Sequence, residues 1–239
     1  MKRAERHHLK ENELQRFAIQ AREAIEERRR EATAIVIGVV VVAAAAAGYF
    51  VWREHVQSQA HALLADALAV QEARIAVAGT PAAPGTYPTT RARLEVAVVK
   101  FKAAADAYPS TDAGIFARYQ EAANKLALGN AQAAVTAYQE VIRRAGDAIY
   151  SQMARLGLAE AQARAGQYEQ AINTFKELAQ RKDGPLPVDG ILMELGRTYR
   201  DAGKRADATQ TFNRLVEEYP DSPFTQEAKR ELDTLNKAA

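Results

Sequence analysis

Four aromatic residues return at a fixed interval in this chain: Phe101, Tyr138, Phe175 and Phe212 stand 37 residues apart. Ala97, Ala134, Ala171 and Ala208 keep the same interval, each four residues before an aromatic. Ala104, Val141, Leu178 and Leu215 follow three residues after. Gly129, Gly166 and Gly203 share the period, and Tyr108-Pro109 and Tyr219-Pro220 lie three periods apart. Self-similarity of this length marks a stack of like units, each too small to bury its apolar face alone.

The spacing i, i+4, i+7 lays alanine, aromatic and aliphatic residues along one face of a helix. A glycine just past a helix suits the left-handed C-cap conformation. Gly129-Asn130, Gly166-Gln167 and Gly203-Lys204 are therefore expected to turn the chain between the two helices of a hairpin. The small alanine lets the helices approach, and the aromatic fills the gap to the next hairpin. The expected core is Ala97, Phe101, Ala134, Tyr138, Ala171, Phe175, Ala208 and Phe212. Pro109 and Pro220 end second helices, because the residue before a proline avoids the helical region. Hairpins are expected at about 115–148, 152–185 and 189–222, with a capping helix over 223–236. A partial unit precedes them at 58–111. Its first helix is expected over 58–77, with Leu63, Leu64, Ala67 and Leu68 as its stripe. Pro81, Pro84 and Pro88 place a loop across 79–90. The expected fold class is all-α: an N-terminal transmembrane helix followed by an α-solenoid of helical hairpins.

The transmembrane expectation rests on residues 32–52, which carry no charge. At about 1.5 Å per residue they span roughly the thickness of a hydrocarbon core. Tyr49, Phe50 and Trp52 cluster at one end, where aromatic rings favour the headgroup level. Arg16, Arg22, Arg28, Arg29 and Arg30 precede the span, and only Arg53 follows closely. The positive-inside rule places 1–31 in the cytoplasm and 53–239 across the membrane, with the chain a single-pass protein of the inner membrane. A cleaved signal peptide is the alternative, with Ala45-Ala46-Ala47 as its small-residue site; the 31-residue polar segment ahead of the span and the apolar run past the alanines favour an anchor. Leu14, Phe17, Ala18, Ala21 and Ile25 align on one face of a polar helix over 9–31. Ala44 and Gly48, four apart, would admit a partner helix.

Residues 1–31 hold nine Lys/Arg against seven Asp/Glu, while 53–239 are balanced. The body thus lacks the basic face that nucleic acid requires. The absence of cysteine removes disulfides, thiol catalysis, Cys-ligated zinc and a lipid anchor on cysteine. His55 and His61 are six apart and fall on different helix faces. No phosphate-binding loop, dinucleotide fingerprint or nucleophile elbow occurs. These observations point away from an enzyme and imply no cofactor and no metal.

Leu195-Gly196, Tyr199, Gly203, Ala208, Phe212 and Pro220 resemble the tetratricopeptide repeat. The second hairpin is similar in Leu158, Ala159, Gly166, Tyr168, Ala171 and Phe175, but has Gln162 where that family prefers an aromatic. The first keeps Gly129, Ala134 and Tyr138. The resemblance covers roughly 58–236 and implies a surface for protein or peptide partners on the inner face formed by the first helices. In this register the face carries Phe116 and Tyr119, then Met153, Leu156, Glu160 and Arg164, then Met193, Arg197 and Arg200. The three arginines lead to an expected preference for acidic or carbonyl-rich peptide, with the methionines adapting to apolar anchors; the other reading of the arginines is that they are ordinary solvated helix residues, each making weak surface pairs. Packing against neighbouring helices is the other reading of the apolar members. Repeats that clamp a C-terminal carboxylate carry Lys and Asn where this chain has Tyr119, Leu156 and Met193, then Ala123, Glu160 and Arg197.

The topology, with Tyr108-Pro-Ser-Thr-Asp-Ala, Ile149-Tyr-Ser-Gln-Met-Ala-Arg-Leu-Gly-Leu-Ala-Glu-Ala and Gly166-Gln-Tyr-Glu-Gln-Ala-Ile, resembles the YfgM-like ancillary subunits of the Sec translocon. That resemblance implies translocon subunits and periplasmic chaperones as partners. Glu218-Tyr-Pro-Asp-Ser-Pro, followed by Ala228, resembles a repeat boundary of envelope repeat proteins that coordinate outer-membrane and cell-wall machinery.

Overall fold

The computed structural model describes residues 3–77, 84–146, 149–181 and 184–237, with side chains from residue 29 onward except residue 32. The described residues are helical: α1 (Arg3–Glu72), α2 (Thr90–Ala107), α3 (Asp112–Ala127), α4 (Ala131–Ala145), α5 (Ile149–Arg164), α6 (Tyr168–Ala179), α7 (Val188–Asp201), α8 (Arg205–Glu218) and α9 (Thr225–Lys237). The chain divides into two units, 1–55 and 56–239, and α1 contributes residues to both.

In the first unit, α1 is long and apolar enough to cross a membrane by length and composition, with a mean hydropathy of 2.5 over its most apolar window. None of that window is buried by protein. Ile35, Val39, Val42 and Phe50 stand more than half exposed, and the Tyr49 ring lies 6.0 Å from Phe50 and 6.1 Å from Trp52. The side chains of Leu14, Phe17, Ala18, Ala21 and Ile25 lie outside the described residues.

In the second unit the helices from α2 to α9 each pack on the next in sequence, while α3 also touches α5 and α5 touches α7. The first helices of the hairpins therefore form one layer, and α4, α6 and α8 the other. The turns between them repeat one hydrogen-bond pattern. Gly129, Gly166 and Gly203 take φ of 85°, 76° and 74°. The next N–H reaches back over the helix end: Asn130 N donates to Lys125 O (2.9 Å), Gln167 N to Gln162 O (2.8 Å) and Lys204 N to Tyr199 O (2.8 Å). These are Schellman caps, and only glycine adopts their left-handed residue without strain.

Side chains from the two layers meet in three apolar clusters. One joins Ala60, Leu64 and Ala67 of α1 to Ala97 and Phe101 of α2 and Ala113 and Ala117 of α3. A second surrounds Tyr138 and Val141, and the largest surrounds Phe175, Leu192 and Phe212. The layers are close because small residues face rings. A Cβ on Gly157 would lie 2.4 Å from the Tyr138 ring, and one on Gly196 would lie 2.4 Å from the Phe212 ring.

One helix end departs from the sequence expectation. The first helix of the partial unit, expected to reach residue 77, stops at Glu72. The backbone then pairs with Tyr87: Tyr87 N donates to Arg74 O (2.9 Å) and Ala76 N to Tyr87 O (2.8 Å). Arg93 Nη1 also donates to Ala73 O at 3.0 Å, satisfying a carbonyl just past the helix end. The loop expected over 79–90 lies partly outside the described residues; its described part ends at Thr89, whose hydroxyl accepts from Ala92 N at 3.1 Å and caps α2.

Candidate functional site

The helices α3, α5 and α7 place like positions side by side, 37 residues apart. Thr111 starts α3 as its N-cap, its hydroxyl accepting from Gly114 N at 3.0 Å. Its hydroxyl also donates to Tyr108 O at 2.9 Å, tying α3 to the end of α2. Further along α3, Phe116 and Tyr119 are both half-buried. Their rings stack with centroids 6.4 Å apart. Phe116 also meets Tyr150 of α5 at 5.6 Å, and Tyr119 meets the edge of Tyr138 at 5.7 Å. These rings make an aromatic patch shared by α3 and α5, and Met153 and Leu156 of α5 are half-buried as well.

Glu160 lies one turn beyond Leu156 and is half-buried. Burial raises its carboxyl above the ordinary carboxylate range; the charge of Glu194 on α7 adds to the rise and Arg164 opposes it. Burial, followed by the Glu160 charge, likewise raises the Tyr119 hydroxyl. Arg164 is exposed at the end of α5.

On α7 the arrangement differs. Met193 has no exposed surface and belongs to the core that also holds Ala228 and Leu235 of α9. The expectation that Met193 offers an adaptable apolar anchor is therefore corrected: its side chain is spent inside the core. Arg197 donates from Nη1 to Glu194 (2.5 Å) and from Nη2 to Glu227 of α9 (2.5 Å). Arg200 donates to Glu231 of α9 (2.6 Å) and to Asp201 (2.9 Å). The expected row of three available guanidinium groups is corrected in the same way, since two of the three already hold two carboxylates each. The acidic-peptide preference inferred from that row loses its basis.

The structure places the 37-spaced columns inside. Phe101, Phe175, Phe212, Ala97, Ala134, Ala171 and Ala208 have no exposed surface, and Tyr138 is buried with them. Burial raises the Tyr138 hydroxyl strongly.

A further cluster lay beyond sequence reasoning. Arg118 of α3 is buried and donates to Asp106 of α2 and, at 2.5 Å, to Glu121 of its own helix; its Nε lies 3.3 Å from Glu140 of α4. Glu121, fully buried, also accepts from Lys125 at 2.5 Å. Only Arg118/Glu121 and Glu121/Lys125, at helix-neighbour spacing, were visible as pairs. The cluster binds three helices together. Gln162 is the other exception: it is buried, and its Oε1 has no hydrogen-bond partner. Among the described residues, no three His, Asp or Glu gather in a group able to hold a metal ion.

Comparison with known proteins agrees with this architecture. Two crystal structures of nearly identical TPR-like repeats, assigned to a kinesin light chain of Podosopora anserina and differing by a point variant, superpose with a TM-score of 0.58 each. Each is 15% identical, covering 76% of this chain and 87% of the other. At that identity the likeness concerns the fold. No curated protein matches the chain. The family model for the tetratricopeptide repeat-like domain matches residues 29–236, and the chain belongs to that family.

Proposed function

We propose that this chain is a membrane-anchored scaffold for protein–protein interaction, without catalysis of its own. Tetratricopeptide repeat-like domains bind proteins or peptides, and the fold is typically a non-enzymatic scaffold. The observation that carries the reading is the union, in one chain, of an uncovered apolar helix with a repeat solenoid. In this reading residues 32–52 cross the inner membrane, 1–31 remain cytoplasmic, and 53–239 form the periplasmic domain with its three hairpins and last helix. The arginines before the span support this orientation. The working surface is the α3–α5–α7 face, with Phe116, Tyr119, Met153, Leu156, Glu160 and Arg164 as its accessible members. The function this supports best is that of a YfgM-like ancillary subunit, linking the translocon to periplasmic chaperones around emerging proteins.

The boundary Glu218-Tyr-Pro-Asp-Ser-Pro supports a second reading, an envelope repeat protein that coordinates outer-membrane or cell-wall machinery. Affinity capture of the full chain from solubilised membranes separates the two. Translocon subunits and periplasmic chaperones are expected among the captured proteins; recovery of cell-wall enzymes without them favours the second reading. A phosphatase fused after Ala239 is expected to be active only outside the cytoplasm, and an inactive fusion beside an active N-terminal one reverses the orientation.

A further inference from the structure

Beside the arginines of the α3–α5–α7 face one acid stands without an ion pair among the described residues. Arg197 is shared by Glu194 and Glu227, and Arg200 by Asp201 and Glu231. Those four carboxylates are held by two guanidinium groups. Glu160 is the fifth acid. It makes no hydrogen bond or ion pair with any described residue, and Arg164 stays beyond ion-pair distance of it. The neighbour across the layer is Glu194, a like charge, whose single guanidinium partner is already divided. Glu160 acts on the Tyr119 hydroxyl and lies one turn beyond Leu156, and the Tyr119 ring stacks on Phe116, which meets Tyr150. Ring faces are negative and attract cations, most strongly where water is partly excluded. The patch thus presents apolar surface for side-chain anchors, π-faces for a cation and one half-buried carboxylate with no ion-pair partner among the described residues.

We propose, resting on the reading of this face as a partner surface, that its occupant is a peptide segment carrying a Lys or Arg side chain between apolar residues. The apolar side chains lie on Phe116, Tyr119, Tyr150 and Leu156, and the cation sits against Glu160. This reverses the charge preference that the three arginines suggest when they are counted in the sequence alone. Arginine or lysine paired to a partly desolvated carboxylate makes a charge-assisted hydrogen bond, about twice as strong as a neutral one. Acidic segments are disfavoured, because they bring a third carboxylate towards Glu160 and Glu194.

The test uses the full chain in nanodiscs of zwitterionic lipid, with empty discs as the blank. Three fluorescent peptides share one Ala/Leu/Phe sequence and differ only at a central residue: Lys, Gln or Glu. Fluorescence anisotropy is expected to show the Lys peptide binding about tenfold more tightly than the Gln peptide, with the Glu peptide weakest. In Glu160→Gln the Lys peptide is expected to fall to the affinity of the Gln peptide. In Glu160→Lys the order is expected to invert, a gain that misfolding cannot produce. Equal binding of the Lys and Gln peptides to the unmodified chain, or a Lys preference that survives Glu160→Gln, overturns the cation assignment and leaves the face as a partner surface. Failure of all three peptides to bind, or undiminished binding to a folded Phe116→Ala, Tyr119→Ala double variant, overturns the reading of the face itself.

Discussion

The α5 and α7 helices hold equivalent places in one layer, 37 residues apart, yet the step from α5 to α7 and the step from α7 to α9 are electrostatic opposites. At α7 to α9, Arg197 reaches across to Glu227 and Arg200 to Glu231. At α5 to α7, the residue equivalent to Arg197 is Glu160, and it meets Glu194. Their interiors differ too. Tyr199 is buried in the third hairpin with the Lys176 ammonium 5.7 Å from its ring centroid, whereas the equivalent Gln162 is buried with its Oε1 unpartnered. One backbone stack therefore supports a closed, self-complementary end and an incompletely satisfied middle. Incomplete satisfaction where neighbouring interfaces are well matched is the pattern expected of a surface kept for a partner.

The largest expected effect separates core from face. Phe212→Ala and Phe175→Ala each remove a side chain with no exposed surface, and should cost about 3–5 kcal/mol, read as a large drop in melting temperature by circular dichroism. Phe116→Ala, half-buried on the face, should cost only about 1–2 kcal/mol. A Phe116 cost matching that of Phe212 would make the face a core and undo the distinction.

Making the second hairpin resemble the third should help it. Gln162→Leu removes a buried acceptor without a donor and is expected to stabilise by about 1 kcal/mol. A fall in melting temperature would mean that the amide serves a packing role that leucine cannot fill.

Arg197→Ala should cost roughly 0.5–1 kcal/mol, since its pairs with Glu194 and Glu227 are about one-third exposed and screened by solvent. The loss should shrink at high salt.

The smallest effect has a defined pH dependence. The Glu160 carboxyl is raised in the folded chain, chiefly by burial and then by Glu194. Ionising it therefore opposes folding above its folded-state value, and below the ordinary carboxylate range the protonated group carries no penalty. Glu160→Gln should raise the melting temperature at neutral pH, with the gain disappearing as the pH falls below that range. An equal gain at both ends would assign the effect to packing. Asp106 runs the other way: hydrogen bonds from Lys102 and Arg118 lower it, so the stability it contributes is present above the ordinary range and fades as pH falls through its lowered value.

The all-helical solenoid was legible in the sequence because its determinants are local and periodic. A 37-residue period with an i, i+4, i+7 stripe specifies which side of each helix is apolar, and a glycine at the end of a stripe specifies where the chain reverses. The charge-free run over 32–52 was legible for the same reason, being a property of consecutive residues. The face was harder to read. Positions 116, 119, 153, 156, 160, 164, 193, 197 and 200 follow from the register, but whether each is offered to solvent depends on what the next helix brings. Met193 and Leu156 occupy one column; Met193 is fully buried in a core that Ala228 and Leu235 of α9 also join, while Leu156 stays half-buried.

By itself, then, the sequence determined the helices, their turns, the apolar columns and the charge-free apolar run, all carried by spacings within about one repeat. Only the tertiary structure decided the pairing of charges. Arg118 gathers carboxylates from residues 106, 121 and 140, on three helices. Arg197 and Arg200 are joined to acids about thirty residues away. Tertiary structure also ended α1 at Glu72, through pairing with Tyr87 across the loop. Apolar burial is nondirectional and shows in a pattern of residue types, whereas an ion pair or a backbone bridge needs two groups within a few ångströms of each other, a distance that exists only once the helices are stacked.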